Sequence, residues 1–320
     1  MLAALLLAAA VAAAATPSPV AVLRAGYEAL QQRALGPRIL APGVRERVME
    51  RTGYALGVLE DDGSATMPRR FAELRVQAAL DAEVLGALLE GTTPPLDAAP
   101  GAHAGIAEGE TFAYYIPRGY DPRRAAPLVV FFHGHTQPET DLIARRAITD
   151  VADETGVVIL APGGDDTDLP AIRRSARAAL GALAPLVKTD PGRRYAAGYS
   201  NGVFDAFNAY ATDGGYVALL GIAGIARRED AAAIGRRLAG SPVYLLAGGH
   251  DRVIPRDAVK SVVRGLRRQG IFARYYETPE ATHALTSHAA AFSRAWHDML
   301  AGITRLDNDG LGDVTERLHW

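Results

Sequence analysis

Between residues 106 and 302, short apolar runs alternate with stretches of helical periodicity, and this alternation restricts the possible folds more than any other feature of the chain. The runs are "TFAYYIP", "PLVVFF", "VVILAP", "RRYAAG", "VALLGIAG", "VYLLAG" and "FARYYE". A strand with one wet face alternates apolar and polar residues, whereas most of these runs are apolar throughout and read as strands covered on both sides. Helical periodicity fills the intervals at about 139–155, 170–187, 201–212, 229–238 and 256–269. A last helix over about 284–302 carries Leu285, Phe292, Trp296 and Met299 on one face. The expected architecture is a doubly wound, mostly parallel α/β sheet. In such sheets ligands gather at the carboxyl ends of the strands, so the loops that follow strands are where chemistry is to be sought.

The chain has 320 residues, more than one core of roughly 250 to 300 residues needs, so a smaller accessory unit is expected beside the sheet. Three amphipathic helices are predicted within residues 16–90. The first opens at Ser18-Pro19, the second covers about 44–59, and the third, about 68–89, has Leu80, Val84, Leu85 and Leu88 on one face. They form a small bundle or pack on the domain that follows. The segment 91–105, "GTTPPLDAAPGAHAG", is rich in turn formers and reads as a linker.

Before these helices stands "MLAALLLAAAVAAAATPSP", an apolar stretch ending in small residues. It reads as a secretory signal peptide, residues 1–15, and implies export with no membrane span after cleavage. No Lys or Arg precedes the apolar part, which leaves an uncleaved anchor or an upstream start open. A net charge of −2 with interspersed signs gives no electrostatic footprint for nucleic acid or an anionic membrane, and suits a small, weakly charged substrate. Cysteine is absent, which excludes a disulfide framework, a thiolate metal site and a cysteine nucleophile.

The loops after four strands carry polar residues of the kinds that acyl transfer requires. "RRYAA" is followed by "GYSNG", residues 198–202, in which Ser200 lies on a sharp strand-to-helix turn between two glycines. A serine hydroxyl is a poor nucleophile at neutral pH and needs a base that is itself oriented by an acceptor. Asp251 follows "VYLLAG", and His283 follows "FARYYE". Each lies in a loop after a strand, in the order of the α/β-hydrolase triad. The backbone N–H of His135 or Thr136, after "PLVVFF", and that of Asn201, at the start of the next helix, are the candidate oxyanion donors. Tyr199, beside the serine, is the candidate substrate-binding residue.

Residues of about 105–302 resemble the α/β-hydrolase superfamily, in particular secreted esterases related to polyhydroxybutyrate depolymerase and feruloyl esterase. "YYIPRGYDPRRAAPLVVFFHGHTQ", "TDPGRRYAAGYSNG" and "GGHDRVIP" carry the resemblance. It implies a serine esterase with Ser200 as nucleophile, His283 as base, Asp251 as orienting acid, an oxyanion hole at His135 or Thr136 plus Asn201, no metal and no cofactor. The substrate it implies is a small-molecule or polymeric ester. The family usually has a cysteine or small residue after His-Gly and a second glycine after the serine turn, where this chain has His135 and Val203. The resemblance does not reach residues 16–90 or the last eighteen.

Rival readings remain at this stage. His133 and His135 form an H-x-H pair that Asp165, Asp166 and Asp168 would have to complete as a metal site. His288 competes with His283 for the role of base, and His250 reads as a loop residue. The acidic tail, 303–320, contains "RLDNDGLGDVTE", which has EF-hand spacing but Arg305 in its first position. The same triad serves a peptidase or amidase as well as an esterase, and a hydrolase fold also occurs in proteins that only bind.

Overall fold

The computed structural model describes residues 19–32, 43–60, 68–164, 169–226 and 240–304. Three helices come first, α1 (Pro19–Gln32), α2 (Val44–Glu60) and α3 (Pro68–Glu90). There follow β1 (Gly101–Ala107), β2 (Glu110–Ile116), β3 (Ala126–Phe132), α4 (Glu139–Ala144), α5 (Arg146–Thr155), β4 (Val158–Pro162), α6 (Leu169–Leu183) and β5 (Thr189–Tyr199). The chain continues through α7 (Asn201–Asp213), β6 (Leu219–Ile222), β7 (Val243–Gly248), α8 (Arg256–Arg268), β8 (Ala273–Thr278), a 3-10 turn (Leu285–His288) and α9 (Ala289–Leu300).

The eight strands make one sheet in the order β1-β2-β4-β3-β5-β6-β7-β8. Pairing is antiparallel from β1 to β2 and from β2 to β4, and parallel from there on. The strand order reverses at β3 and β5, and at such a switch point the loops diverge and leave a crevice.

Strand periodicity divides the core in two. Leu128, Val130 and Phe132 face one layer together with Val203 and Phe207 of α7 and Val259 and Val263 of α8. Val129 and Phe131 face the other, with Phe292 and Trp296 of α9. Burying side chains of this size contributes about 1.5–3 kcal/mol each, which is why fully apolar runs are stable only between two helical layers. Trp296 also satisfies its indole N–H on Thr155 Oγ1, 3.1 Å away.

The N-terminal helices belong to this second layer. Leu23 of α1, Val48 of α2, and Leu80, Val84, Leu85 and Leu88 of α3 are buried in the same cluster as Val129 and Phe131. The three helices α1, α2 and α3 therefore pack on the sheet, one of the two arrangements their amphipathic faces allowed.

Three boundaries differ from the sequence expectation. The stretch read as a linker up to residue 105 turns into strand at Gly101, because "GAHAGIA" pairs residue for residue with β2 as an edge strand despite its lack of apolar period. The single helix expected over 139–155 is broken at Arg145, whose backbone is extended (φ −73°, ψ 114°). Glu73 of α3 accepts the N–H of Arg146 at 3.1 Å, and all six residues of α4 are buried, so tertiary contacts end the first helix. The last helix begins at Ala289, with Leu285–His288 in a tighter 3-10 turn before it. The stretch read as a signal peptide, the helix expected at 229–238, Asp165, Asp166 and Asp168, and the EF-hand-like segment lie outside the described residues.

Candidate active site

Strand β5 ends at Tyr199, and Ser200 follows at φ 53°, ψ −121°, before α7 begins at Asn201. A side chain at positive φ outside the left-handed well costs on the order of 1–3 kcal/mol, and the surrounding contacts have to hold it. A Cβ on Gly198 would lie 2.1 Å from the carbonyl oxygen of Gly202, and one on Gly202 would lie 2.2 Å from that of Phe132. Only bare α-carbons let β5, α7 and β3 meet this closely, which is the physical reason for both glycines of "GYSNG". The Ser200 N–H still donates to Ile222 O at 2.9 Å, so sheet pairing fixes the backbone up to the serine itself.

Ser200 Oγ lies 2.9 Å from His283 Nε2, and His283 Nδ1 lies 2.9 Å from Asp251 Oδ2. The Asp251 side chain is fully buried, and its other oxygen accepts the backbone N–H groups of Val253 (2.8 Å) and Ile254 (2.9 Å). A carboxylate only accepts, so Asp251 draws the imidazole proton to Nδ1 and leaves Nε2 bare toward the serine hydroxyl.

The loop that carries His283 is held at two points. The Tyr199 hydroxyl donates to the His283 carbonyl oxygen at 2.7 Å, and the two rings are 5.6 Å apart. Burial raises the Tyr199 pKa above its ordinary value and so keeps the phenol a neutral donor. His288 is fully buried and meets the carbonyl oxygen of Thr282 with Nε2 at 3.0 Å. Burial pushes its pKa down, and a neutral ring that donates from Nε2 supports the loop from behind. His250 is exposed, 3.7 Å from Glu280.

After β3, residues Gly134 to Gln137 form a tight turn in which Gln137 N–H donates to Gly134 O at 3.1 Å and Thr136 has φ 59°. A Cβ on Gly134 would come within 3.1 Å of the Tyr199 ring and 3.3 Å of Ser200 Cβ, so this turn lies directly against the serine. The amides of His135 and Thr136 belong to the turn, and that of Asn201 opens α7. His133 is buried, with Nδ1 2.9 Å from Gly134 O. Among the described residues, no group of three or more His, Asp or Glu is arranged to hold a metal ion, and no helix is long and apolar enough to cross a membrane.

A cleft of about 390 Å³ adjoins this turn. Its walls include His135, Thr136, Gln137 and Tyr199 from the sheet domain, and Glu50, Arg70 and Gln77 from α2 and α3. A more open hollow of about 710 Å³ is lined by His250, Asp251, Arg252, Val253 and His283. The sequence offered no sign that α2 and α3 border the site, nor that Gln137 and the Tyr199 hydroxyl take part in its architecture.

No family model matches the chain, and no curated protein matches it. Solved structures do. FphF, a fluorophosphonate-binding serine hydrolase of Staphylococcus aureus, superimposes with a TM-score of 0.53 at 12% identity, over 63% of this chain and 99% of that one. A ferulic acid esterase gives 0.50 at 13% identity, over 61% and 92%. The acylaminoacyl peptidase of Pyrococcus horikoshii gives 0.52 at 14% identity, over 68% of this chain and 43% of that one. These likenesses and the strand order assign the α/β-hydrolase fold.

Proposed function

We propose that the chain is a serine hydrolase that cleaves carboxylic esters through an acyl-enzyme on Ser200. The pair of 2.9 Å contacts joining Ser200, His283 and Asp251 carries this reading. Ser200 Oγ attacks the ester carbonyl as its proton passes to His283 Nε2, and Asp251 stabilises the imidazolium without taking the proton. The negative charge on the carbonyl oxygen is received by the amides of Asn201 and of His135 or Thr136. Collapse expels the alcohol with the proton from His283. Water then repeats the cycle on the acyl-enzyme, freeing the acid and restoring Ser200.

The ester is preferred to the amide because the superposition with the ferulic acid esterase spans nearly all of that protein, whereas the peptidase is matched over less than half of its length. Export is part of the proposal and rests on the apolar N-terminal stretch of the sequence. The test is labelling with a fluorophosphonate, followed by a turnover screen of nitrophenyl esters, feruloyl esters and short peptides. Labelling that survives Ser200→Ala, or turnover of peptides alone, would refute the proposal.

A further inference from the structure

We propose that Gln137 is a positioning residue for the oxyanion turn, and that the N-terminal helix α3 holds it in place through Asp141 and Arg70. The inference rests on the reading of Ser200 as an acyl-transfer nucleophile and extends the working site to a helix outside the resemblance.

Gln137 grips both backbone groups of Gly134. Its own N–H donates to Gly134 O at 3.1 Å, and its side-chain Oε1 accepts Gly134 N–H at 3.0 Å. A primary amide can be turned end for end at little cost, and with Nε2 in place of Oε1 it would present a donor to a donor. Asp141 decides which way it faces. The Gln137 Nε2 donates to Asp141 Oδ2, and because a carboxylate accepts only, Oε1 is left aimed at Gly134.

Asp141 is itself buried and fixed by two guanidinium groups. Arg145, at the break between α4 and α5, reaches Oδ2 with Nη2 at 3.0 Å, and Arg70 of α3 reaches Oδ1 with Nη1 at 2.8 Å. Burial would raise the carboxyl's pKa, yet the two cations outweigh it and hold the group below its ordinary value, as a permanent acceptor. Two further bonds lock α3 to α4 and α5: Thr140 Oγ1 donates to Asp81 at 2.9 Å, and Arg146 N–H donates to Glu73 at 3.1 Å. The chain of contacts Arg70, Asp141, Gln137, Gly134 thus ends on a backbone that lies against Ser200.

Oxyanion donors act only on the transition state, so a displaced turn lowers kcat and leaves ground-state binding nearly unchanged. Kinetics of Gln137→Ala, Gln137→Met, Arg70→Ala and Arg70→Lys on nitrophenyl acetate test this, with melting curves for each variant and with the affinity of a trifluoromethyl ketone, whose serine adduct carries the oxyanion. Both Gln137 variants are expected to lose about ten- to a hundredfold in kcat with KM within about twofold, and to bind the ketone correspondingly more weakly. Arg70→Ala should show a smaller loss of the same kind, which Arg70→Lys partly restores. Unchanged kcat and ketone affinity in folded Gln137→Met would overturn the role of Gln137, and a loss confined to KM in Arg70→Ala would overturn the reach to α3. A wild type that neither turns over esters nor is labelled at Ser200 by a fluorophosphonate would instead remove the acyl-transfer reading beneath both.

Discussion

Tyr199, the residue before Ser200, donates its hydroxyl at 2.7 Å to the main-chain oxygen of His283. One end of the serine turn is thereby tied to the loop that brings the imidazole. Phenylalanine at position 199 keeps the ring and removes the tie. Tyr199→Phe is expected to cost about 0.5–1.5 kcal/mol of stability by urea unfolding, the usual net worth of one hydrogen bond. Turnover should fall several-fold with little change in KM, and a variant indistinguishable from wild type in both measurements would mean that the loop holds itself.

Ser200 combines a chemical role with a strained backbone, at φ 53° and ψ −121°. Ser200→Ala should fold and lose roughly a thousandfold or more in turnover, because only oxyanion and binding interactions remain. Ser200→Gly should be equally inactive, yet it relieves the strain the side chain imposes, of order 1–3 kcal/mol. A higher melting temperature for the glycine variant than for the alanine variant is the expected result.

The two histidines near the last strand differ in what they touch. His283→Ala should be as inactive as Ser200→Ala, and the double variant scarcely worse than either, since the two residues act as a unit. His288→Ala should keep the chemistry and lose stability, because its ring supports Thr282 and is fully buried. A dead His288→Ala with normal melting would exchange the two assignments.

His288 also sets an expected pH dependence. Burial lowers its folded pKa below the unfolded value of about 6.5, so the unfolded chain binds the proton more readily. Its contribution is therefore fully present above that unfolded value and is lost as the pH falls through the folded one. Urea midpoints compared above and below pH of about 6.5 should drop on the acid side in wild type and drop less in His288→Gln.

Gly202 brings α7 close against the end of β3. A methyl group there would sit 2.2 Å from Phe132 O and 2.5 Å from His133 O, both main-chain atoms with nowhere to go. Gly202→Ala should cost about 1–3 kcal/mol or more by overpacking, and should shift Ser200 enough to abolish fluorophosphonate labelling.

Much of this could be read in the chain because the informative residues are local. Ser200, Asp251 and His283 each follow an apolar run within a few residues, and the strand pattern alone places all three at the carboxyl ends of the strands. The break at Arg145 could not be read this way: its cause is Glu73, 72 residues earlier, and the helical period continues across it. The edge strand beginning at Gly101 was hidden because glycine and alanine carry no periodic signal, and β2 alone defines it. Tyr199 and His283 are 84 residues apart, and nothing in the sequence of either foretells that contact. Gln137 stands in a motif quoted from the sequence, but its partner Asp141 acquires meaning only when α3 supplies Arg70.

Ser200, Asp251 and His283 hang from β5, β7 and β8, and β8 closes the far edge of the sheet. The N-terminal helices are made first, yet the core beneath Val129 and Phe131 that they share also takes in Tyr276 of β8 and Phe292 and Trp296 of α9, so that layer closes only when the last elements arrive. Hydrolytic competence thus requires the last strand to be in place, since His283 follows it. In a refolding experiment, ester turnover should lag behind the recovery of helical circular dichroism, and the delay would measure how long the sheet waits for its final strand.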